Sequence, residues 1–243
     1  MSEGIFSIWV YLETSPLLWL TLTLLAYQAG CWLFARLKFH PLANPVFVAV
    51  VLLVVLLMVT GTPYQTYFSG AQFVHFLLGP ATVALALPLY AQFHRVKALV
   101  LPLALALLTG SLVAALSAVL IAKACGASLP TLLSLGPKSV TTPIAMGIAE
   151  RTGGIPSLAA VMVILTGILG AVAGPPFFRL LGIRDDAARG FAMGLACHGV
   201  GTARAFQWSE QAGAFAALAM GLNGALTALL LPLVLSWIKP WLT

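Results

Sequence analysis

Charge is the scarcest ingredient of this sequence. Only 7% of its 243 residues are Asp, Glu, Lys or Arg, and just 6 residues are acidic. A soluble domain carries about 25% charged residues, so this chain cannot cover a surface that faces water. That excludes a soluble enzyme or a cytosolic binding module. Nucleic acid is excluded as a partner as well, because the net charge of +6 has no basic soluble domain to present it. Sustained apolar–polar alternation is missing, which speaks against a β-barrel. Cysteine is rare: Cys31, Cys125 and Cys197 lie in or beside apolar segments without paired spacing, and read as small packing groups rather than disulfides or ligands. The N-terminus, MSEGIFSIWVYLETSP, lacks the basic start and small-residue cleavage site of a signal peptide, so the first span is expected to remain in the mature protein.

Apolar length is what the chain has in quantity, with 61% hydrophobic residues. A helix of about 20 apolar residues crosses the ~30 Å hydrocarbon core. The runs 17–35, 45–61, 72–91, 98–121, 155–178 and 213–238 qualify as spans, while 128–150 and 190–208 are interrupted. The expected fold is therefore an all-α polytopic membrane protein, a single membrane domain over 1–243. It would have about six full transmembrane helices plus two broken or re-entrant helical segments. Residues 62–70, with Tyr64, Tyr67 and Phe68, read as a loop in an interfacial aromatic belt.

Basic residues set the orientation. Arg36, Lys38 and His40 follow the first run, and His94, Arg95 and Lys97 follow the third. The positive-inside rule puts both groups in the cytoplasm, and the two intervening crossings agree with that parity. A full crossing by 128–150 would send Arg179, Arg184 and Arg189 outside, against the rule. A re-entrant hairpin keeps them inside, and is favoured. Two broken segments, each after a span of opposite direction, suggest an inverted repeat with halves 98–150 and 155–208.

The chemistry concentrates in the two interruptions. The first, LGPKSVTTPIAMGI (135–148), packs Gly136, Pro137, Lys138, Ser139, Thr141, Thr142 and Pro143 into eight residues. Two prolines and a glycine break a helix there, and the freed backbone must face protein or a water-filled cavity. Lys138 at membrane depth needs a partner or a ligand. Free N–H groups at a broken helix start, three hydroxyls and an ammonium together suit a carboxylate-sized anion. The second, HGVGTAR (198–204), offers hinge glycines at Gly199 and Gly201, with Thr202 as a donor. Arg204 could grip a carboxylate bidentately and His198 could carry a proton. An interfacial turn with Lys138 snorkelling, and small-residue packing with Arg204 pairing Glu210, are the structural alternatives. Glu150–Arg151 reads as a surface turn, and Asn223 in GLNG as interhelical glue. Adjacent Cys197 and His198 point apart, so no metal site is expected. Ser139, His198 and Glu150 lack the nucleophile elbow of a hydrolase, so no catalytic residues are assigned and an enzyme is not expected.

From Gly79 onward the chain resembles the LrgB/CidB family, sometimes called antiholin-like. The resemblance rests on GPATVALALPLY (79–90), LGPKSVTTPIAMGIAE (135–150), GGIPSLAAVMVILTGILGA (153–171) and ARGFAMGLACHGVGTARA (188–205). It implies one of two functions. One is control of murein hydrolase activity and autolysis beside a small LrgA/CidA-like holin-type partner. The other is carriage of small monocarboxylates, because a plant plastid glycolate/glycerate translocator is similar in this half and bacterial pairs are linked to pyruvate. The plant proteins fuse an LrgA-like half to an LrgB-like half, which makes a separate LrgA-like membrane protein the implied partner here. The combined expectation is a multi-pass protein of the bacterial cytoplasmic membrane that works as a homo-oligomer. It would take 2-oxo or 2-hydroxy acids, with H+ or Na+ as coupling ion and no other cofactor. Lys138, Ser139, Thr141, Thr142, His198, Thr202 and Arg204 would bind, and Gly136, Pro137, Pro143, Gly199 and Gly201 would form the hinges.

Overall fold

Proline and glycine decide where the helices of this chain start and stop. The computed structural model describes residues 15–37 and 43–242; the basic residues Lys38 and His40 and the N-terminal residues 1–14 lie outside them. Among the described residues every regular element is helical. They fall into two compact units that divide after Ala84.

The first unit holds α1 (Pro16–Arg36), α2 (Pro45–Thr60), α3 (Tyr64–Phe76) and α4 (Leu78–Ala84). Asn44 caps α2 by accepting from the N–H of Val46 at 2.9 Å, with Pro45 in the first turn. Gly30 lets α1 touch the Pro45 carbonyl, and Gly70 lets α3 touch the Pro16 carbonyl, where a Cβ would sit 2.6 and 2.1 Å away. Buried Trp19 meets Tyr67 edge-on at 6.0 Å. Residues 62–70, expected as a loop, thus lie mostly within α3, because packing on α1 overrides their polar composition.

The second unit holds α5 (Ala86–Ala91), α6 (Phe93–Ala98), α7 (Val100–Ala124), α8 (Leu129–Leu135), α9 (Thr142–Thr152), α10 (Pro156–Leu180), α11 (Asp186–Phe206) and α12 (Glu210–Leu242). Among the described residues four helices, α1, α7, α10 and α12, are long and apolar enough to cross a bilayer, and α2 is a shorter apolar helix. The run 72–91, expected as one span, is instead divided among α3, α4 and α5. Pro80 and Pro88 have no N–H for the carbonyls of Phe76 and Ala84, the residues where α3 and α4 stop. Pro102 ends α6 at Ala98 in the same way.

In this unit α7 and α12 run side by side in the same direction. Leu103 and Leu107 pack on the cluster of Phe215 and Ala219, Ser111 bonds Asn223, and Ala115 and Val119 share a core with Leu231 and Leu235. Lys123, at the end of α7, donates to the Trp241 carbonyl. Between them, α8 and α9 form a hairpin. Eleven helical residues carry α9 about 16 Å along its axis, yet the N–H of Ile155 just beyond it donates to Ser134 Oγ at 2.7 Å. The chain has turned back on itself. α10 starts from that base and runs opposite to α7.

α11 is a second hairpin, with its turn at one residue. His198 has φ 44° and ψ −132°, and no other non-glycine described residue has positive φ. Arms 186–197 and 199–206 fold together so closely that a Cβ on Gly201 would lie 2.3 Å from the Met193 carbonyl. The base closes where Ser209 Oγ donates to Asp186 Oδ2 at 2.7 Å. Arg95 just before α7 pairs with Asp185 at 2.7 Å, which fixes this base at the start of α7, opposite to the base of the first hairpin. The two hairpins therefore enter from opposite ends of the unit.

Candidate functional site

Both tips end at the middle of α12. α8 stops because Gly136 and Pro137 follow it, and α9 can restart with Pro143 in its first turn. Tight turns fill the gap, with the N–H of Lys138 on the Leu135 carbonyl at 3.1 Å and that of Val140 on the Pro137 carbonyl at 3.2 Å. Ser139 is buried and accepts a hydrogen bond from the half-buried Lys138 ammonium at 3.2 Å. Thr141 sits in extended backbone at the α9 N-cap without using its hydroxyl as a cap, and Thr142 begins the helix. Two hydroxyls and the free N–H groups of a first turn thus share one spot.

At the other tip, His198 is buried and its Nε2 lies 2.9 Å from the Val163 carbonyl of α10. Gly167 makes room for the imidazole, since a Cβ there would be 2.8 Å from Cε1. Thr202 Oγ1 donates to the His198 carbonyl at 2.9 Å and faces Met220 Sδ at 3.8 Å. The short arm begins at Gly199, so a second helix N-terminus opens at this tip. Gly201 serves the close approach of the two arms.

Asn223, 1% exposed, holds the tips together. Its Nδ2 donates to the Ser139 carbonyl at 3.1 Å and to the Leu195 carbonyl at 3.0 Å. Its Oδ1 accepts from Ser111 Oγ at 2.5 Å and Thr227 Oγ1 at 3.1 Å. So Lys138, Ser139, Thr141 and Thr142 stand on one tip and His198 and Thr202 on the other, and Asn223 ties the two together. Arg204 lies about 9 Å along the short arm from the turn at His198 and donates to Gln207. The polar groups that sequence reasoning left out of the site are Ser111, Asn223 and Thr227. The available signal was their amide and hydroxyl chemistry within otherwise plain apolar runs.

The arrangement can hold an anion. Two helix N-termini and one ammonium stand at the two tips that Asn223 ties together, and each N-terminus carries about half a positive charge. Among the described residues no cluster of three or more His, Cys, Asp or Glu side chains is assembled. Glu150 lies exposed in α9, towards the base of the first hairpin.

A family model described as the LrgB-like family matches residues 23–237. The chain is 38% identical over 213 residues to a Bacillus subtilis (strain 168) protein named Uncharacterized protein YxaC, covering 88% of this chain and 92% of that one. A second protein of the same strain, YwbG, is 38% identical over 218 residues, with 90% and 96% covered. The Antiholin-like protein LrgB of Bacillus cereus (strain B4264) is 32% identical over 224 residues, with 92% and 97% covered. No solved structure matches significantly.

Proposed function

The chain belongs to the LrgB-like family, and from that premise we propose that it is a carrier of small monocarboxylates in the bacterial inner membrane. The observation that supports this reading is that Asn223 ties together two hairpin tips, each holding a helix N-terminus and one of them the Lys138 ammonium. Broken helices whose N-termini face an anion near the bilayer midplane are a recurrent way for carriers to bind carboxylates. In this reading Lys138, Ser139, Thr141 and Thr142 receive the carboxylate, while His198 and Thr202 line the opposite tip. Arg204 acts from the hairpin base as an entry charge.

Each hairpin, with the span before it, forms one inverted half of the repeat, 98–150 and 155–208, and each hairpin opens the site to one side of the membrane. The end that gathers Arg95, Lys97, Arg179, Arg184 and Arg189 faces the cytoplasm. H+ or Na+ is the coupling ion, and the carrier works as a homo-oligomer with a small LrgA-like membrane protein. Pyruvate, glycolate and glycerate are the size of acid that one ammonium and two helix ends accommodate.

The test is uptake of radiolabelled pyruvate and glycolate into proteoliposomes, by the chain alone and together with its LrgA-like partner. Saturable uptake that Lys138→Ala abolishes, with membrane insertion unchanged, supports the carrier. Normal uptake by well-folded Lys138→Ala removes the site.

A second reading is favoured by the antiholin-like name that the Bacillus cereus relative carries. In it the chain modulates murein hydrolysis through a partner and has no substrate. Folded protein that takes up neither acid in any combination, with substitutions at 136–143 that alter autolysis only by disturbing assembly, would select it.

A further inference from the structure

At the base of the second hairpin, far from the tips, a cavity of about 160 Å³ opens between the end of α10 and the start of α11. Arg179, Arg189, Phe178 and Trp208 are among the residues that line it. A water takes up about 30 Å³ of liquid, so the space holds a group the size of a phosphodiester. The Arg189 guanidinium is stacked 4.7 Å above the Trp208 ring, and Phe178 braces that ring edge-on at 6.0 Å. Arg189 Nε is buried and has no hydrogen-bond partner.

The local carboxylates are already committed. Asp185 pairs with Arg95 at 2.7 Å, and Asp186 accepts from Ser209 at 2.7 Å while standing 3.6 Å from Arg189. No hydrogen bond or ion pair among the described residues engages the Arg179 guanidinium. Two arginines therefore line one cavity, and among the described residues a carboxylate pairs with Arg189 alone.

The cavity adjoins an apolar groove. A space of about 500 Å³ between α10 and the first arm of α11 shares Phe178 with it, floored by Gly170, Ala173 and Gly174 and walled by Phe177 and Leu180. α10 has 25 residues, about 37 Å at the helical rise, longer than the ~30 Å hydrocarbon core. Its last turn, with Arg179, thus stands at headgroup level. Guanidinium groups bind phosphate oxygens well, and basic pockets between membrane helices take anionic headgroups.

We propose that this pair of cavities is a binding site for one anionic phospholipid, with its phosphate between Arg179 and Arg189 and an acyl chain in the groove beside Gly170 and Gly174. Such a lipid would bridge α10 to the base of the second hairpin. The inference uses the membrane setting but not the carrier reading, and its readout is lipid binding rather than uptake.

The test is thermal unfolding and native mass spectrometry of the purified full chain in detergent, with phosphatidylglycerol or phosphatidylcholine of equal chain length. Phosphatidylglycerol should raise the melting temperature and stay bound as one retained molecule, and phosphatidylcholine should do neither. Arg179→Gln, an exposed position without an internal partner, should abolish the shift while melting like the parent in the absence of lipid. Arg184→Gln removes the same charge from the connection just after α10, outside the residues that line the cavity, and should keep the shift. Equal shifts from both lipids, or loss of the shift in Arg184→Gln as much as in Arg179→Gln, would overturn a built site. Inorganic phosphate that reproduces the shift at millimolar concentration would overturn the lipid as occupant.

Discussion

Asn223 donates from one amide nitrogen to two carbonyls that helix breaks have orphaned, Ser139 at 3.1 Å and Leu195 at 3.0 Å. The orphaning follows from sequence. The regular partner of the Ser139 carbonyl would be the N–H of residue 143, which is proline and has none. That of Leu195 would be the N–H of Gly199, beyond the turn at His198. One buried side chain thus takes up one orphaned carbonyl at each hairpin tip. Its position fixes where the tips meet.

Asn223→Asp keeps the size and the acceptor oxygen but removes both donors and sets a carboxylate beside two carbonyls. A buried polar group left without its partner costs about 1–3 kcal/mol, and here two carbonyls are affected together. The variant should melt well below the parent in detergent, and should lose uptake if the tips bind substrate. Unchanged melting would show that the tips are held by something else.

His198 gives a prediction with an internal control. At φ 44° and ψ −132° a side chain is strained, while glycine adopts such backbone readily. The His198 side chain also bonds the Val163 carbonyl. His198→Ala loses that bond and keeps the strain, whereas His198→Gly loses the bond but relieves the strain. The glycine variant should be the more stable of the two by about 1 kcal/mol, read as an ordering of melting temperatures. The reverse order would argue against a turn at this residue.

Much of this unit was legible from residue types. Two prolines flanking Lys138 and Ser139 break the helix at 136–143, and the distribution of arginines favours a segment that turns back. The second break was legible as a region, but not as one residue, because nothing in HGVGTAR distinguishes His198 from its flexible neighbours as the turning point. Arg204 was grouped with Lys138 by charge. Tertiary folding places it down the short arm instead, and no periodicity reveals which way an arm returns. Asn223 was read as interhelical glue, and that role holds, but its partners are backbone carbonyls far away in sequence. The division of 72–91 at Pro80 and Pro88 was open to reading from the prolines alone; their apolar surroundings outweighed it.

Glycine spacing makes a third prediction. A Cβ on Gly194 would stand 1.9 Å from the Ala216 carbonyl, and the obstacle is backbone, which cannot swing aside. Gly147 in α9 has nothing within 4 Å of the same atom. Gly194→Ala must push α12 away from the first arm of the hairpin, and should cost about 1–3 kcal/mol as overpacking does. Gly147→Ala should be neutral or stabilising by about 0.5–1 kcal/mol through helix propensity. Expression and melting of the pair check this, and equal behaviour would show that the α11–α12 contact is looser than described.

The orientation in the membrane can be tested through a native thiol. Arg95, Lys97, Arg179, Arg184 and Arg189 stand at the end where the second hairpin has its base, and Lys123, Arg151 and Lys239 at the other. Retention of basic residues in the cytoplasm therefore orients the hairpin-two end inward. Cys125 is exposed and directly follows α7, at the opposite end, so it should face outward. In a Cys31→Ser background, a membrane-impermeant maleimide added to intact cells should label the protein, and adding Cys125→Ser should remove that label because the remaining thiol, Cys197, is buried. With Arg184→Cys added to Cys125→Ser, labelling should require permeabilised cells. The opposite pattern would invert the unit and move the arginine-lined cavity to the outer leaflet. Because the hairpins enter from opposite ends, inversion would also exchange which tip is reached from outside. Lys138 would then be reached from the cytoplasmic hairpin, and the sidedness of substrate entry would change with it.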